Sequence, residues 1–335
     1  MQVLIVNQAE VRRLLPMAEC LDVMEAALAA LARGEAQLPL RQVLMLPGGQ
    51  AAFAAMPAHL SSPAAIGIKV ITVFPGNHGT EYDSHQGAVL LFETERGRLL
   101  AVMDATSITA IRTAAVSGVA TRALARPEAS VLALLGSGVQ AATHLDAVAL
   151  VRPLRRVRVW SRDPAHVGRF VEAARRRHRL DIQPAASARE AVEEADVVCT
   201  VTASREPVLE GAWLRPGTHV NAVGASVRTA RELDSAAVAA ARVFVDRRES
   251  VANEAGDLLI PRAEGAIGDD HVQGELGEVL IGKVGGRRTD TEITVFKSLG
   301  LAVEDVASAH HIHARARAAG AGTWIELGGG RDASG

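Results

Sequence analysis

The segment spanning residues 130–145, SVLALLGSGVQAATHL, joins a short apolar run to a glycine-rich turn. The apolar run predicts a strand, and the residues from Val139 and Gln140 onward predict a helix. Gly136 and Gly138 have the spacing of a dinucleotide-binding turn, in which the first glycine allows a tight turn and the second lets a pyrophosphate approach the backbone. Free N–H groups at the helix start would meet the phosphates. The segment predicts a nucleotide site, with a purely structural turn as the alternative.

The end of the next predicted strand, VRVW, carries the residues that distinguish the two nicotinamide cofactors. NAD-binding folds place an acid there, whereas this chain has Ser161, Arg162 and Asp163. A guanidinium suits a 2′-phosphate because it pairs with phosphate through charge and a forked geometry. Asp163 could still accept hydrogen bonds from a ribose. We therefore expect NADP(H) to be preferred, with NAD(H) as the alternative.

A second group of residues with chemical potential lies earlier in the chain and is cationic. Lys69 stands inside the apolar run IGIKVITVF, where an ammonium needs an anionic partner. Arg112 lies in the predicted helix that follows, and Arg41 lies at the start of another predicted strand. Three cations on one face of a small sheet-and-helix unit would bind a carboxylate. Solvated positions at the edge of the sheet are the alternative, since lysine and arginine are mostly exposed.

Composition and charge exclude several classes of protein. The formal net charge of −2 gives no attraction to nucleic acid or to an anionic membrane surface. No apolar stretch reaches the roughly 18 residues of a membrane span, and the first residues resemble a strand rather than a signal peptide. Cys20 and Cys199 form no motif, and no metal site is predicted. We expect two buried free thiols in a reducing cytoplasm.

The pattern of apolar residues divides the chain into three zones. Residues 1–125 begin with a strand and a helix, continue through strands separated by PGG, PGN and ERG turns, and end in a long helix. This zone predicts an antiparallel sheet with helices. Residues 126–295 alternate strands and helices, which predicts a doubly wound parallel sheet of the α/β class. The last segment, ITVFKSLGLAVEDVASAHHIHARARA, predicts a helical return that ends in a mobile glycine-rich tail.

Several longer segments carry a resemblance to a known family. They are FAAMPA, GIKV, SHQGAVLLFE, AVMDATSITAIRTAAVSG, LGSGVQA, HVNAVGAS with the following REL, GELGEV and ITVFKSLGLAVEDV. The chain resembles the ornithine cyclodeaminase/mu-crystallin family over nearly its whole length. The resemblance implies a Rossmann-type NAD(P)-binding domain at residues 126–295, inserted in an α+β substrate-binding and dimerisation domain made of residues 1–125 and 296–335. It also implies a homodimer.

The resemblance assigns roles to individual residues of this chain. In this family the residues matching Arg41, Lys69 and Arg112 hold the substrate carboxylate. His85 and Gln86 would line the substrate pocket. Four further residues would lie near the nicotinamide, namely Thr200, Thr202, Val223 and Gly224.

Two positions of the chain depart from the ornithine cyclodeaminases. Those enzymes have an aspartate where this chain has Ser226 and a glutamate where it has Ala54. Cyclodeamination oxidises an amine, loses ammonia and reduces a cyclic imine, so it needs a base that cycles protons. A serine orients a water molecule or a ring nitrogen but is no base at neutral pH without help. The resemblance therefore favours the mu-crystallin-like ketimine reductases, with Lys69, Arg112 and Ser226 as catalytic residues.

The expected function is the NADPH-dependent reduction of cyclic ketimines, 1-pyrroline-2-carboxylate or 1-piperideine-2-carboxylate, to L-proline or L-pipecolate. Such an iminium is already electrophilic. The enzyme must therefore mainly bind the carboxylate, exclude water and place the nicotinamide over the imine carbon. Other activities of the family are the alternatives: ornithine cyclodeamination, dehydrogenation of L-alanine, L-arginine or L-lysine, and non-enzymatic binding of a small ligand.

Overall fold

The structure, a computed structural model, describes residues 1–49, 51–77 and 79–328. Its strands in chain order are β1 (Gln2–Val6), β2 (Ala36–Gln37), β3 (Gln42–Met45), β4 (Ala52–Ser61), β5 (Ala64–Val73), β6 (His85–Phe92), β7 (Leu99–Asp104), β8 (Val131–Leu135), β9 (Arg156–Trp160), β10 (Asp181–Pro184), β11 (Val197–Thr200), β12 (His219–Ala222), β13 (Ala241–Val245), β14 (Val272–Glu275), β15 (Ile293–Lys297) and β16 (Thr323–Glu326). Its α-helices are α1 (Gln8–Leu14), α2 (Met17–Ala32), α3 (Ala105–Leu124), α4 (Val139–Val151), α5 (Pro164–Arg177), α6 (Ala188–Val192), α7 (Ser235–Ala239), α8 (Arg248–Glu254), α9 (Gly256–Ala263), α10 (Leu276–Leu280) and α11 (Ala302–Ala319). Within these described ranges, no helix combines the length and the apolar character that crossing a membrane requires.

The chain folds into two compact units. The first contains Met1–Arg112 together with the chain from Leu301 onward, and the second contains Thr113–Gly300. The division falls inside α3, whose end near residue 125 is the boundary expected from the sequence. In the first unit, Thr109 and Arg112 of this helix contact β5 and α11. In the second unit, Ser117 contacts α4.

The first unit is built on an eight-stranded sheet with the order β16-β1-β7-β6-β5-β4-β2, in which β3 also pairs with β4. β1 and β7 are parallel, and the other neighbours are antiparallel. Alternate residues of β4 are buried, as expected for a strand with one covered face: Ala54, Met56, Ala58 and Leu60. Helix α11 contacts β4, β5 and β6. It therefore covers the face that carries Lys69, the cross-strand neighbour of Met56.

The second unit is a Rossmann-type α/β fold, as the alternation of strands and helices predicts. Its eight strands have the order β10-β9-β8-β11-β12-β15-β13-β14 and are all parallel. Every residue of β11 and β12 is buried, which is typical of a parallel sheet with both faces covered. From β8 the chain proceeds outward through β9 and β10, and then returns to β11 on the other side. Open α/β sheets bind ligands at such a switch point, outside the carboxyl ends of the strands.

One part of the sequence prediction is wrong. The segment Ile293–Lys297 was expected to begin the helical return, but it forms β15 between β12 and β13. A short apolar run suits either a strand or a buried helix, and here parallel pairing on both sides decides for the strand. The expected tail also contains β16, which pairs with β1. Residues 329–335 of that tail lie outside the described residues.

Candidate functional site

The glycine-rich turn after β8 has the geometry that its sequence predicts. Gly136 has a φ of 126°, and a Cβ there would lie 2.7 Å from the carbonyl oxygen of Val201, so no other residue fits without strain. Its N–H donates to the carbonyl of Trp160 at 2.8 Å, which ties the turn to the end of β9. A Cβ on Gly138 would meet nothing within 4 Å. The space beside this second glycine is therefore open to a ligand.

Helix α4 begins directly after this turn. Gly138 is its N-cap and offers no side-chain hydrogen bond to the first turn, and Val139 is 61% exposed. The Oε1 atom of Gln140 is buried and has no hydrogen-bond partner among the described residues. Ala141 is fully buried, and its small side chain lets the helix pack closely. These residues fit the pyrophosphate of a dinucleotide, which helix N-termini bind through free N–H groups.

The three residues after β9 differ in what they already bind. The Oγ atom of Ser161 lies 2.9 Å from the Oγ atom of Ser137 in the glycine-rich turn. Asp163 is the N-cap of α5, where its carboxylate accepts hydrogen bonds from two backbone N–H groups, and these bonds lower its pKa. Arg162 is exposed and forms no hydrogen bond or ion pair with any residue in the described part of the chain. The arginine is therefore available to a 2′-phosphate, while the aspartate is engaged.

The loops after β11 and β12 meet at a carboxylate that sequence reasoning did not single out. Glu232 is fully buried, and it accepts hydrogen bonds from Thr200, Thr202 and Gly224 at 2.6–2.8 Å. Burial, and after it the nearby carboxylate of Asp257, raise the pKa of Glu232. Three of the residues expected near the nicotinamide are therefore in contact with one another through Glu232.

The predicted catalytic residue of the second unit, Ser226, lies in the loop after β12. It is exposed, and its hydroxyl has no partner within the described ranges. At the start of this loop Val223 donates its N–H to the carbonyl of Thr200 at 3.0 Å. The carbonyl of Ala225 accepts a hydrogen bond from Lys297 at 2.6 Å. The backbone of the loop is thus held, whereas the serine hydroxyl remains available to a ligand.

In the first unit, Lys69 and Arg112 meet at a buried aspartate. Lys69 is 1% exposed, and its Nζ lies 2.8 Å from Oδ2 of Asp305. Arg112 donates from Nε to Oδ1 of the same aspartate at 3.0 Å and from Nη1 to Glu304 at 2.9 Å. The anionic partner that Lys69 was expected to need is therefore supplied by α11. We call these two cations and two carboxylates the Asp305 cluster.

The electrostatics of the Asp305 cluster leave Lys69 titratable close to neutral pH. Burial, and after it the positive charge of Arg112, lower the pKa of Lys69 to about 8 against the opposing effect of Asp305. The charged form therefore predominates at pH 7 and is lost above pH 8.

Cys20 and Cys199 are buried free thiols, as expected, and burial raises the pKa of Cys199 to about 12. Neither thiol is suited to act as a nucleophile.

The strand register separates the two residues predicted to line the substrate pocket. His85 pairs with Val73, and Gln86 pairs with Thr72. Because side chains alternate between the faces of a strand, His85 shares the face of Lys69 and Gln86 lies on the opposite face. Partial burial and the charge of Lys69 lower the pKa of His85. The structure therefore brings His85, but not Gln86, to the face that carries the cluster.

The last two positions singled out from the sequence lie along β3 and β4. Arg41 is half-buried and directly precedes β3, whose register with β4 continues from Arg41 towards Met56, the neighbour of Lys69. Ala54 is 6% exposed and lies two residues before Met56, on the same face. A methyl group therefore stands on the Lys69 face at the position where the resemblance implies a glutamate in ornithine cyclodeaminases.

Sequence reasoning missed several buried charged residues, among them Glu232, Asp257, Lys297, Glu304 and Asp305. All of these five except Asp257 lie in segments that carry the family resemblance, and each is an ionisable group where apolar residues would be expected. The chain has only three lysines among its 36 basic residues, and Lys297 stands in an apolar run as Lys69 does. That rarity is the signal that would have found it.

Comparison with known proteins agrees with these features. The model of the ornithine cyclodeaminase/mu-crystallin family matches residues 1–320. The ketimine reductase mu-crystallin of Mus musculus is 40% identical over 293 residues, which are 87% of this chain and 90% of that protein. The identity and the coverage are high enough to show that the chain shares the family as well as the fold of this relative.

Two solved structures are similar over almost the whole chain. The Delta(1)-pyrroline-2-carboxylate reductase of Thermococcus litoralis, in complex with NADH and L-proline, has a TM-score of 0.94 and 38% identity, and the match covers 96% of this chain and 99% of that one. An archaeal alanine dehydrogenase dimer with bound NAD has a TM-score of 0.92 and 34% identity, over 98% and 100%. These relatives are reductases and dehydrogenases, and the chain is an NAD(P)H-dependent oxidoreductase. It belongs to the ornithine cyclodeaminase/mu-crystallin family.

Proposed function

We propose that this protein reduces cyclic ketimines such as 1-pyrroline-2-carboxylate and 1-piperideine-2-carboxylate to L-proline and L-pipecolate. The observation that carries the proposal is the Asp305 cluster, in which both carboxylates are held by cations. Positions 54 and 226 supply no acid either, since they are Ala54 and Ser226. Cyclodeamination needs a base that cycles protons, and imine reduction does not. The site therefore suits a preformed imine.

The roles of the residues follow from charge and position. Lys69 and Arg112 would bind the substrate carboxylate, with Arg41 as a third cation. The pKa of Lys69, about 8, keeps its ammonium charged at neutral pH. Reduction adds a hydride to the imine carbon, and the bound reduced nicotinamide supplies that hydride. The nitrogen of the iminium form already carries its proton, so Ser226 needs only to orient the ring nitrogen or a water molecule.

A substrate panel tests this activity. Each cyclic imine is assayed with NADPH, and ammonia release from L-ornithine is measured with NAD⁺ and NADP⁺. We expect imine-dependent oxidation of NADPH and negligible ammonia release. Ammonia release at a rate comparable to imine reduction would show that the acids missing at positions 54 and 226 do not decide the reaction.

Dehydrogenation of an L-amino acid is the second candidate. The similarity to the archaeal alanine dehydrogenase, over 98% of this chain, favours it. L-Alanine, L-arginine and L-lysine are therefore assayed with both oxidised cofactors, and the corresponding 2-oxo acids are assayed with ammonia and NADPH. A higher kcat/KM for any of these open-chain substrates than for the cyclic imines would favour the dehydrogenase over the ketimine reductase.

We further propose that NADPH is preferred over NADH. Arg162 is exposed and unpaired within the described ranges, and Asp163 is engaged as a helix cap. Arg162→Ala should therefore raise the KM for NADPH and leave the KM for NADH unchanged. The rise should correspond to a free-energy loss of about 1.5–3 kcal/mol, the range for a lost hydrogen bond to a charged group. Arg176→Ala is the matched control, because Arg176 is exposed on α5 and pairs with Glu172 at the surface. An unchanged cofactor preference in Arg162→Ala would contradict the assignment.

A homodimer is the proposed assembly, and the sheet of the first unit supports it. The face opposite Lys69 is apolar in the middle of the sheet, where Ile66 is 42% exposed and pairs with Phe92. Phe53 is 40% exposed on the same sheet. Antiparallel sheets normally present polar residues on an uncovered face, so this face fits a second copy of the chain.

Light scattering after size exclusion measures the assembly. Ile66→Arg should convert the protein to a monomer, because a buried unpaired charge would oppose the contact. Leu150→Arg is the control, since Leu150 is equally apolar and 55% exposed but lies on α4 in the other unit. A dimer that survives Ile66→Arg and dissociates in Leu150→Arg would place the interface elsewhere.

A further inference from the structure

One buried carboxylate accepts hydrogen bonds from two separate loops of the second unit. Oε1 of Glu232 accepts from the N–H and the Oγ1 of Thr202 at 2.7 and 2.6 Å. Oε2 accepts from the Oγ1 of Thr200 at 2.8 Å and from the N–H of Gly224 at 2.7 Å. Each oxygen therefore holds one backbone N–H, and the two N–H groups belong to the loops after β11 and β12. A carboxylate can hold both loops because each of its two oxygens accepts hydrogen bonds, whereas a side-chain amide has only one acceptor oxygen.

The two loops touch where Glu232 holds them. A Cβ on Gly224 would lie 2.1 Å from the carbonyl oxygen of Thr202 and 2.5 Å from Oε1 of Glu232. No side chain fits into that space. Glycine at position 224 is therefore a consequence of the close approach of the two loops, and Glu232 supplies the hydrogen bonds that maintain the approach.

Two more buried residues complete the network. Asp257 accepts a hydrogen bond from the N–H of Glu232 at 2.7 Å, and its other oxygen lies 2.9 Å from Nζ of Lys297. Lys297 donates to the carbonyl of Ala225 at 2.6 Å. All three side chains are at most 1% exposed. We call Glu232, Asp257 and Lys297 the Glu232 clamp, because together they hold the N–H of Gly224 and the carbonyl of the next residue.

The clamp lies at the edge of the sheet where a nucleotide would bind. Strands β8 and β11 are neighbours at the switch point, and ligands bind at the carboxyl ends of the strands there. The carbonyl of Val201 would be only 2.7 Å from a Cβ on Gly136. The loop that Glu232 holds is therefore in contact with the glycine-rich turn.

We propose that Glu232 is a positioning residue, which fixes the two loops beside the nicotinamide end of the cofactor and the loop that carries Ser226. The inference rests on the proposed function. Glu232 is fully buried and both of its oxygens are filled by donors from its own chain, so it acts through the loops rather than on a ligand. Thr200 is also fully buried with its hydroxyl on Glu232. Its side chain therefore binds the clamp rather than the cofactor.

Two substitutions separate positioning from mere stability. An amide has a single acceptor oxygen, so Glu232→Gln turns an NH₂ group towards one of the two backbone N–H groups and releases that loop. Thr200→Val keeps the shape of the side chain and removes one donor. Glu264→Gln is the matched control, because Glu264 is a carboxylate of the same unit that binds Arg231 at the surface.

Three measurements are made on the intact protein: hydrogen exchange in residues 200–204 and 223–227, the Kd for NADPH, and kcat per bound NADPH. For Glu232→Gln we expect exchange in both loops to be about tenfold faster. We expect kcat per bound NADPH to fall about 10- to 100-fold, since misplacement of a reacting group by about 1 Å has an effect of that size. The Kd for NADPH should change by less than about threefold, because the phosphates bind at the other loop. Thr200→Val should act in the same direction with a smaller effect, and the control should change none of the three.

Turnover is measured with whichever imine or amino acid the unmodified protein accepts, while exchange and NADPH binding need no substrate. Failure of the ketimine proposal is thereby distinguished from failure of the clamp. Faster exchange with an unchanged kcat per bound NADPH would reduce Glu232 to a structural residue and overturn the inference. Unchanged exchange would overturn it as well. If Glu232→Gln does not fold, Thr200→Val decides: a higher Kd for NADPH at unchanged kcat would make Thr200 a cofactor contact and reject the clamp.

Discussion

Two of the three lysines of this chain are buried, and their surroundings differ. Lys69 faces side chains: the Asp305 cluster joins it to one aspartate, which in turn binds Arg112. Lys297 faces the backbone: its ammonium donates to the carbonyl of Ala225, and its partner Asp257 accepts from backbone N–H groups. The Asp305 cluster contains two cations and two carboxylates, whereas the Glu232 clamp contains one cation and two carboxylates.

The difference separates binding from positioning. Contacts between side chains can be exchanged for contacts with a ligand, since a substrate carboxylate offers Lys69 the same kind of acceptor as Asp305. Contacts between a buried side chain and the backbone fix the course of the chain and cannot be exchanged without moving it. We therefore expect changes in the Asp305 cluster to alter substrate binding, and changes in the clamp to alter stability and loop geometry.

The largest effect is expected from Lys297→Met. The substitution leaves Asp257 buried without its ammonium, and loss of one partner of a buried ion pair lowers the free energy of unfolding by about 3–5 kcal/mol. Denaturant unfolding followed by tryptophan fluorescence measures the change. Lys283→Met is the control, because Lys283 binds Glu278 with 63% of its side chain exposed and such surface pairs contribute about 0–1 kcal/mol. If the free energies of unfolding of the two variants differ by less than about 1 kcal/mol, the buried Lys297 contributes no more to stability than the surface Lys283, and the prediction is wrong.

The next largest effect is expected from Lys69→Met, in catalysis rather than in cofactor binding. The change removes a charged contact to the substrate carboxylate, about 1.5–3 kcal/mol, or roughly 10- to 150-fold in kcat/KM for a cyclic imine. The Kd for NADPH should stay the same, because the glycine-rich turn belongs to the other unit. Steady-state kinetics and NADPH fluorescence titration measure the two quantities, again with Lys283→Met as the control. A parallel loss of NADPH affinity would show that the two sites are not separate.

The smallest effect is a pH dependence of carboxylate binding. The pKa of Lys69 is lowered to about 8, so the ammonium is present below that pH and is lost above it. Arg112 stays charged in this range, and the lowered pKa of His85 keeps that imidazole neutral. The inhibition constant of pyrrole-2-carboxylate, whose own charge is constant between pH 7 and 9, should therefore rise above pH 8, by up to about tenfold per unit. Lys69→Arg, which cannot lose its charge in this range, should flatten the profile. The same rise in that variant would assign the dependence to another group.

Local patterns were sufficient for most of the fold. Helix α5 follows directly from Asp163 as an N-cap, Pro164 in the first turn and an apolar spacing through Phe170. The glycine-rich turn was predictable for a similar reason, since the φ of Gly136, 126°, is one that only glycine adopts readily. These features are decided by residues that are close together in the sequence. β15 was not predictable, because a segment of five residues in which Ile293, Val295 and Phe296 are apolar suits a strand or a buried helix equally.

The sequence by itself determined which residues could do chemistry and on which elements they lie: Lys69 on β5, Arg112 on α3 and the glycines between β8 and α4. Only the tertiary structure decided what those residues bind. Arg112 and its partner Asp305 are 193 residues apart, and Thr200 and Glu232 are 32 apart. Ion pairs and hydrogen bonds are short-ranged, so they depend on which elements the fold brings together, and no local pattern records that choice. The tertiary structure thus gave Lys69 and Arg112 their carboxylate partners on α11, and it made Glu232 the support of two loops.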